Sequence, residues 1–231
     1  MTSTRAPRNT TAMLAFALLA APAWAGRPLI TEDAGDVLEA GRCEIESYVA
    51  RFNDPALTFQ WAQLGCGTGF NTQLAAGAGR EKTHPGHVTI VAAGGKTTIR
   101  KLSEDRAGIA LAYATLGGKH SDHLQHQASE IKAVLTVPYR QWLLHANAGW
   151  VRNHAADADR TIWALALERP RAFGPIDLMG EIVGDDRGSP FAQVAARWTA
   201  IPGRLVIDAS WGAQVDDSTI RQTTVGAKLA F

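Results

Sequence analysis

The 231-residue sequence has no long hydrophobic run, no excess of either charge and only two cysteines. Its longest apolar stretch, residues 12–25, is 14 residues long and contains a proline. A membrane-spanning helix needs about 18–20, so helical spans are excluded. A formal charge of +1 gives no broad basic face, and no nucleic-acid partner is expected. With 22 Gly and 10 Pro the chain is neither collagen-like nor low-complexity. At 46% apolar and 19% charged residues it is too apolar for disorder. The length suits one large domain or two small ones. Composition alone describes an ordinary soluble globule, but an average cannot register alternation.

What is present begins with an address. Arg5 and Arg8 precede the apolar stretch from Met13 to Ala20, and Ala23-Trp24-Ala25 supplies a small-x-small cleavage pattern. Residues 1–25 therefore read as a signal peptide, with a short buried helix as the alternative. No cysteine stands directly after the cleavage site, which weighs against a lipid anchor. Export implies an oxidising compartment, so Cys43 and Cys66 become candidates for a disulfide rather than two buried thiols. The turn Asn53-Asp54-Pro55-Ala56 strengthens this, because a hairpin centred on it sets Cys43 opposite Cys66. Residues 26–41 form a polar, glycine-containing lead-in. It is too short for a plug domain, but residues 30–38 can tuck into an enclosed space.

From residue 42 to 231 the sequence alternates. Leu205, Ile207, Ala209, Trp211, Ala213 and Val215 share one parity, with Asp208, Ser210, Gly212, Gln214 and Asp216 on the other. Trp142, Leu144, Ala146, Ala148 and Trp150 alternate with His145, Asn147 and Gly149. Period two over 9–11 residues makes strands with two unlike faces. Twelve such segments fall near 42–53, 56–66, 70–80, 87–99, 106–116, 127–137, 142–152, 160–169, 176–184, 191–201, 204–215 and 219–231. Tight turns at every second junction, such as 138–141 and 201–204, alternate with longer polar loops at 80–87, 117–127, 153–160 and 185–190. The expectation is an all-β, antiparallel up-and-down transmembrane β-barrel of about 12 strands. A turn at Pro202-Gly203 sets Ala200 against Leu205 and Trp198 against Ile207. A turn at Tyr139-Arg140 sets Val137 against Trp142 and Leu135 against Leu144. All eight partners are on the apolar parity, whereas a one-residue error would swap faces. Trp142 and Trp150 lie about 26 Å apart along a strand, close to the spacing of two aromatic girdles once tilted.

The chain ends in Phe231, with Leu229, Ala227, Val225 and Thr223 at alternate positions behind it. This resembles the C-terminal signature that the barrel assembly machinery of outer membranes reads. The segments Arg27-Pro28-Leu29-Ile30-Thr31-Glu32-Asp33-Ala34 and Gly41-Arg42-Cys43-Glu44-Ile45-Glu46 resemble proteobacterial outer-membrane barrels. These are similar to the uncharacterised family labelled after the meta-pathway of phenol degradation. The resemblance implies a place in the bacterial outer membrane, outer-membrane lipid as surroundings, and a small hydrophobic or aromatic solute.

The polar parity carries the candidate site. The expected registers bring Asp177, Arg197, Asp208 and Lys228 onto four adjacent strands as an alternating charge ladder. That ladder is either a field lining a pore or a set of packed, mutually satisfied charges. Glu130, Lys132, His145, Asn147 and Glu181 face the same interior. His84, His87, His120, His123 and His126, with His154 nearby, fall in predicted loops. Their spacing suggests a metal site at the barrel mouth, to which Asp122, Asp157 and Asp159 can add carboxylates. A search for a hydrolase finds nothing usable. His126 and Ser129 are three apart and so on opposite faces of a regular strand, and His145 has no same-face serine. No enzyme and no cofactor are expected. The leading reading is a barrel that passes or binds a small solute. One alternative is a closed structural barrel whose outer loops bind a metal or partner; another is a soluble periplasmic β-barrel binding protein.

Overall fold

Alternation becomes twelve antiparallel strands in the computed structural model. It describes residues 29–35, 37–83, 86–120 and 123–231, without the side chains of Thr83 and His120. The signal-peptide reading of residues 1–25 lies outside the described residues. The strands are β1 (Cys43–Asn53), β2 (Ala56–Gly67), β3 (Thr72–Thr83), β4 (Gly86–Arg100), β5 (Gly108–His120), β6 (His123–Tyr139), β7 (Trp142–Asn153), β8 (Ala158–Phe173), β9 (Ile176–Asp185), β10 (Phe191–Ile201), β11 (Leu205–Gln214) and β12 (Arg221–Ala230). Each pairs with its sequence neighbours, and β12 closes against β1. Closure removes the unpaired edges that make an open sheet prone to aggregation. Cys43 and Phe231 exchange two backbone hydrogen bonds, of 3.0 and 2.9 Å, and fasten the last residue to the first strand.

The end bearing the start of β1 and the end of β12 is called here the terminal end, and the opposite one the loop end. The walls differ in height. β4, β6 and β8 have 15, 17 and 16 residues, whereas β9 to β12 have only 10 or 11.

The apolar parity faces outward. Ile131, Leu144, Trp150, Trp198, Trp211 and Val225 are all exposed, while Lys132 and Asp208 on the other parity are 4% and 1% exposed. A continuous exposed apolar coat of this kind is what lipid stabilises and water does not. It overturns the soluble alternative, which needed the apolar face inside.

The Cys43–Cys66 disulfide forms, with Cα atoms 4.2 Å apart, and β1 pairs with β2 in the register centred on the 54–55 turn. The other two turn expectations need correction. At the β10–β11 turn Trp198 pairs with Ile207 as expected, but Leu205 pairs with Ile201 and not with Ala200. A bulge between Thr199 and Ile201 absorbs one residue as the chain tightens through Gly203, at φ +69°. At the β6–β7 turn the tip is Arg140-Gln141, so Tyr139 pairs with Trp142 and Val137 with Leu144. That is a two-residue slip. It preserves every face, which is why face pattern could not detect it.

The loops are shorter than expected at two places. Residues 80–87 and 117–127 are mostly strand, because β3 runs to Thr83, β4 starts at Gly86, β5 runs to His120 and β6 starts at His123. Polar composition there marks hairpin ends that rise past the apolar coat, where ladder hydrogen bonds still satisfy the backbone.

Candidate functional site

Inside the barrel, the tall and short walls are lined by different chemistry. On the loop-end half of the tall side, inward positions are mainly apolar: Phe59, Trp61, Ile90, Leu116, Val151 and Ile162 are buried in one cluster, with Glu81 and Asn153 as buried polar residues at the same end. Phe59 stacks on Trp61 at 6.0 Å and lies 5.9 Å from Tyr48. Trp61 fits because β3 presents Gly77 and Gly79 beneath it. A Cβ on Gly77 would sit 2.5 Å from Trp61 Cζ2 and 2.7 Å from the Ala62 carbonyl oxygen. The short wall instead presents buried Gln193, Ser210, Gln214 and Thr224.

The terminal-end half is filled by residues 29–34, with Val37 and Leu38 half-buried behind them. Glu181 accepts backbone hydrogen bonds from Ile30 and Thr31, both 2.8 Å, and one from the Thr31 hydroxyl at 2.5 Å. Asn147 binds the Glu32 backbone in both directions, accepting from its N–H at 2.7 Å and donating to its carbonyl at 3.0 Å. The Glu32 carboxylate lies between Lys96 (3.5 Å) and Lys132 (3.6 Å), and Lys132 also pairs with Glu130 at 2.8 Å. Lys96 Nζ donates to the Asp33 carbonyl at 3.0 Å. Ala34 N–H donates to Thr136 Oγ1 (2.9 Å), which is 3.0 Å from His145 Nδ1, while His145 Nε2 faces Glu168 at 3.3 Å. The Thr136 hydroxyl can donate to Nδ1, which leaves Nε2 as the ring nitrogen beside the carboxylate. The segment leaves along Gly67, where a Cβ would run into the Leu38 and Glu39 carbonyls.

The sequence-derived site residues divide as follows. Glu130, Lys132, His145, Asn147 and Glu181 are buried inside and meet residues 29–34 or their direct partners. Arg197 is the register partner of both Asp208 and Asp177. Its Nε donates to Asp208 at 3.0 Å, and its guanidinium lies 4.0 Å from Glu168. Asp177 accepts the Arg171 backbone N–H at 2.7 Å, and Lys228 reaches across the seam to Glu44 (3.5 Å) and Glu46 (3.9 Å). The strip is therefore wider than four strands, and it runs from β8 around to β1.

Sequence reasoning missed Glu32, Lys96, Thr136 and Glu168. Their parity was legible, but Glu32, Lys96 and Thr136 are tied together through the lead-in, across more than 60 residues of sequence, and Glu168 meets His145 and Arg197 from other strands.

Of the expected metal set, only His87, His123 and His126 have described side chains, and these do not converge. Among the described residues no group of three or more His, Cys, Asp or Glu is placed to hold a metal ion. His123 and His126 sit on opposite faces of β6. His87 is on β4, and His84 lies outside the described residues, as does the side chain of His120. His126 instead packs on His154, with ring centroids 4.1 Å apart. The parity argument that separated His126 from Ser129 also fails. β6 carries a bulge: Gly117 pairs with His126 and Leu116 with Ala128, leaving Gln127 as the extra residue. The extra residue returns Ser129 to the face of His126, and Nε2 is 3.1 Å from Ser129 Oγ.

This architecture, a closed twelve-stranded barrel with an apolar coat and a charged, internally packed lumen, is the outer-membrane porin fold. The KdgM porin superposes with a TM-score of 0.62 at 8% identity, over 81% of this chain and 99% of that one. A KdgM porin structure in complex with disordered oligogalacturonate gives 0.60 at 9%, over 81% and 99%. The NanC porin gives 0.56 at 6%, over 80% and 98%. Outer membrane phospholipase A from Escherichia coli gives 0.50 at 10%, over 81% and 92%. At such identities these likenesses establish the fold. The chain itself belongs to the family described as uncharacterised conserved protein UCP029691, whose profile matches residues 14–231. That match is not to the family labelled after the meta-pathway of phenol degradation. No curated protein matches the sequence.

Proposed function

We propose that the chain is an outer-membrane barrel that passes or binds a small neutral or cationic solute along the polar short wall, with residues 29–34 as an internal plug. The observation that carries this reading is the charge inside. Ten acidic side chains, Glu32, Asp33, Glu44, Glu46, Glu81, Glu130, Glu168, Glu181, Asp185 and Asp208, are buried among the described residues. Against them stand buried Lys96, Lys132 and Arg197, with Arg160 and Lys228 partly buried. Excess negative potential in a low-dielectric channel attracts cations and repels anions. A polyanion such as the oligogalacturonate in the KdgM complex is therefore a poor fit to this lumen. Residues 29–34 act as a plug in this reading because Glu32 brings its own anion to Lys96 and Lys132 and the Asp33 carbonyl accepts from Lys96.

The outward apolar coat supports insertion in the outer membrane. Aromatic solute character has one supporting feature, the lumen-side Tyr48, Phe59 and Trp61 cluster.

The test is planar-bilayer conductance and liposome uptake with the full chain, Glu32→Ala and a variant lacking residues 26–40. The expected outcome is cation-selective conductance that rises when Glu32 or the segment is removed. Silence in all three would favour the closed structural barrel.

A further inference from the structure

We propose that the outer face of the loop-end rim carries an esterase site, with Ser129 as nucleophile and His126 as general base, acting on long-chain acyl esters of the surrounding lipid. The inference rests on the reading that the apolar coat lies in lipid, and not on conduction through the lumen.

The bulge at Gln127 creates the pair. Ser129 and His126 come to one outward face, with Ser129 Oγ 3.1 Å from His126 Nε2, the reach a serine–base pair needs. Nε2 is also 3.0 Å from Thr115 Oγ1 and 3.0 Å from the Ala128 carbonyl oxygen. These neighbours suit both protonation states. A bare Nε2 accepts from the Ser129 hydroxyl, and a protonated one donates to the Ala128 carbonyl. The Ala128 oxygen therefore stabilises the imidazolium that proton transfer creates. The His154 ring, 4.1 Å away, covers the imidazole and restricts its plane.

Depth selects the substrate. Tyr113, Ile131 and Trp150 are register neighbours, and all are 41–44% exposed. They mark a level of outward aromatic side chains, the signature of a membrane interface. Thr115, Ser129 and Arg152 are the next outward-facing row toward the loop end, about 7 Å along the strand. Acyl chains lie against the coat below, so the ester carbonyls fall at the height of Ser129. Arg152, held by Asp157 and by Asp159 at 3.3 Å, adds a guanidinium beside Ser129, where a lipid phosphate would lie.

The step balances with water as the only co-reactant. Ser129 Oγ bonds to the ester carbonyl carbon as its proton passes to His126 Nε2. The bond to the alcohol oxygen breaks, and the leaving alcohol takes that proton. Water then attacks acyl-Ser129, giving its proton through His126 back to Ser129 Oγ. The products are a fatty acid and the deacylated lipid.

The experiment uses the full chain in detergent micelles, its folding verified by heat-modifiable gel mobility. Separate arms offer a glycerophospholipid and an ester-acylated lipid A, and a fluorophosphonate probe is read by peptide mass spectrometry. The expected result is fatty-acid release from one of the lipids and a probe adduct on Ser129. Release should fall about 10²–10⁴-fold in both Ser129→Ala and His126→Ala with mobility unchanged. The arm that responds identifies the lipid. Folded wild-type protein that neither releases fatty acid nor takes the probe overturns the proposal, as does release that persists in Ser129→Ala. Bilayer conductance of the same preparation reports separately on the lumen.

Discussion

The tall and short walls of this barrel share a fold, a strand polarity and an apolar outer coat, yet their inner faces have opposite character. From β2 to β8 the loop-end half is closed by large apolar side chains, Trp61 and Phe59 above all, packed over glycines and alanines. From β9 to β12 the inward positions are mostly short or polar, with Met179 and Val183 on β9 the apolar exceptions, and charges are held in pairs such as Arg197 and Asp208. Packing stabilises the first wall and polar satisfaction the second. An apolar filling is stable wherever it excludes water, whereas buried charges persist only with partners. The proposed path for a polar solute follows the short wall, where inward side chains are smaller and more polar, and the tall wall carries the closer apolar packing.

Mutations can break or sharpen that contrast. The largest effect is expected from Trp61→Ala, which removes a 4%-exposed side chain from a close-packed cluster and should cost about 3–5 kcal/mol in denaturant unfolding. Gln214→Ala on the short wall should cost about 1 kcal/mol or less in the same assay. Equal losses would erase the distinction. Next comes Asp208→Ala, expected to cost about 3 kcal/mol by stranding Arg197, with the double variant Arg197→Met/Asp208→Leu recovering most of it. If Asp208 also faces a conducting path, only the short-wall change alters conductance, and Trp61→Ala does not.

A smaller effect is expected where the two walls meet. Replacing Cys43 and Cys66 by serine should lower stability by about 2 kcal/mol, read by unfolding with and without reductant. The low end of the usual range applies because eleven register pairs already hold β1 to β2. The smallest change concerns Asp217, in the β11–β12 loop outside the coat. Hydrogen bonds from the Thr219 hydroxyl (2.5 Å) and backbone N–H (3.0 Å) lower its pKa from the ordinary carboxylate value. A depressed carboxyl pKa contributes stability above the unfolded value, and that contribution is lost as pH falls through the folded one. A pH titration of unfolding should show this small acid-side loss in the wild type and not in Asp217→Asn.

Much of the fold was legible because its physics is local. Alternation places Glu130, Lys132, His145 and Asp208 on one face and Trp142, Trp150 and Trp211 on the other, and tertiary contact cannot exchange the two without a bulge. The 54–55 turn centre was equally local, and it correctly paired Cys43 with Cys66 across the hairpin. The β6–β7 register was less legible, since a two-residue slip changes partners without changing faces. The candidate site was legible in its lining and not in its contents. Glu32 looks like one more polar residue in a short lead-in until Lys96, Lys132 and Asn147 converge on it from three strands.

The sequence by itself determined the strand count, the two faces and the disulfide, because each follows from residue parity and short turns. Only the tertiary structure decided which way the apolar face points and what fills the lumen. Both depend on closing β12 against β1 and enclosing residues 29–34. It also decided that Ser129 meets His126, since one extra residue in β6 reverses the parity on which the sequence reading relied.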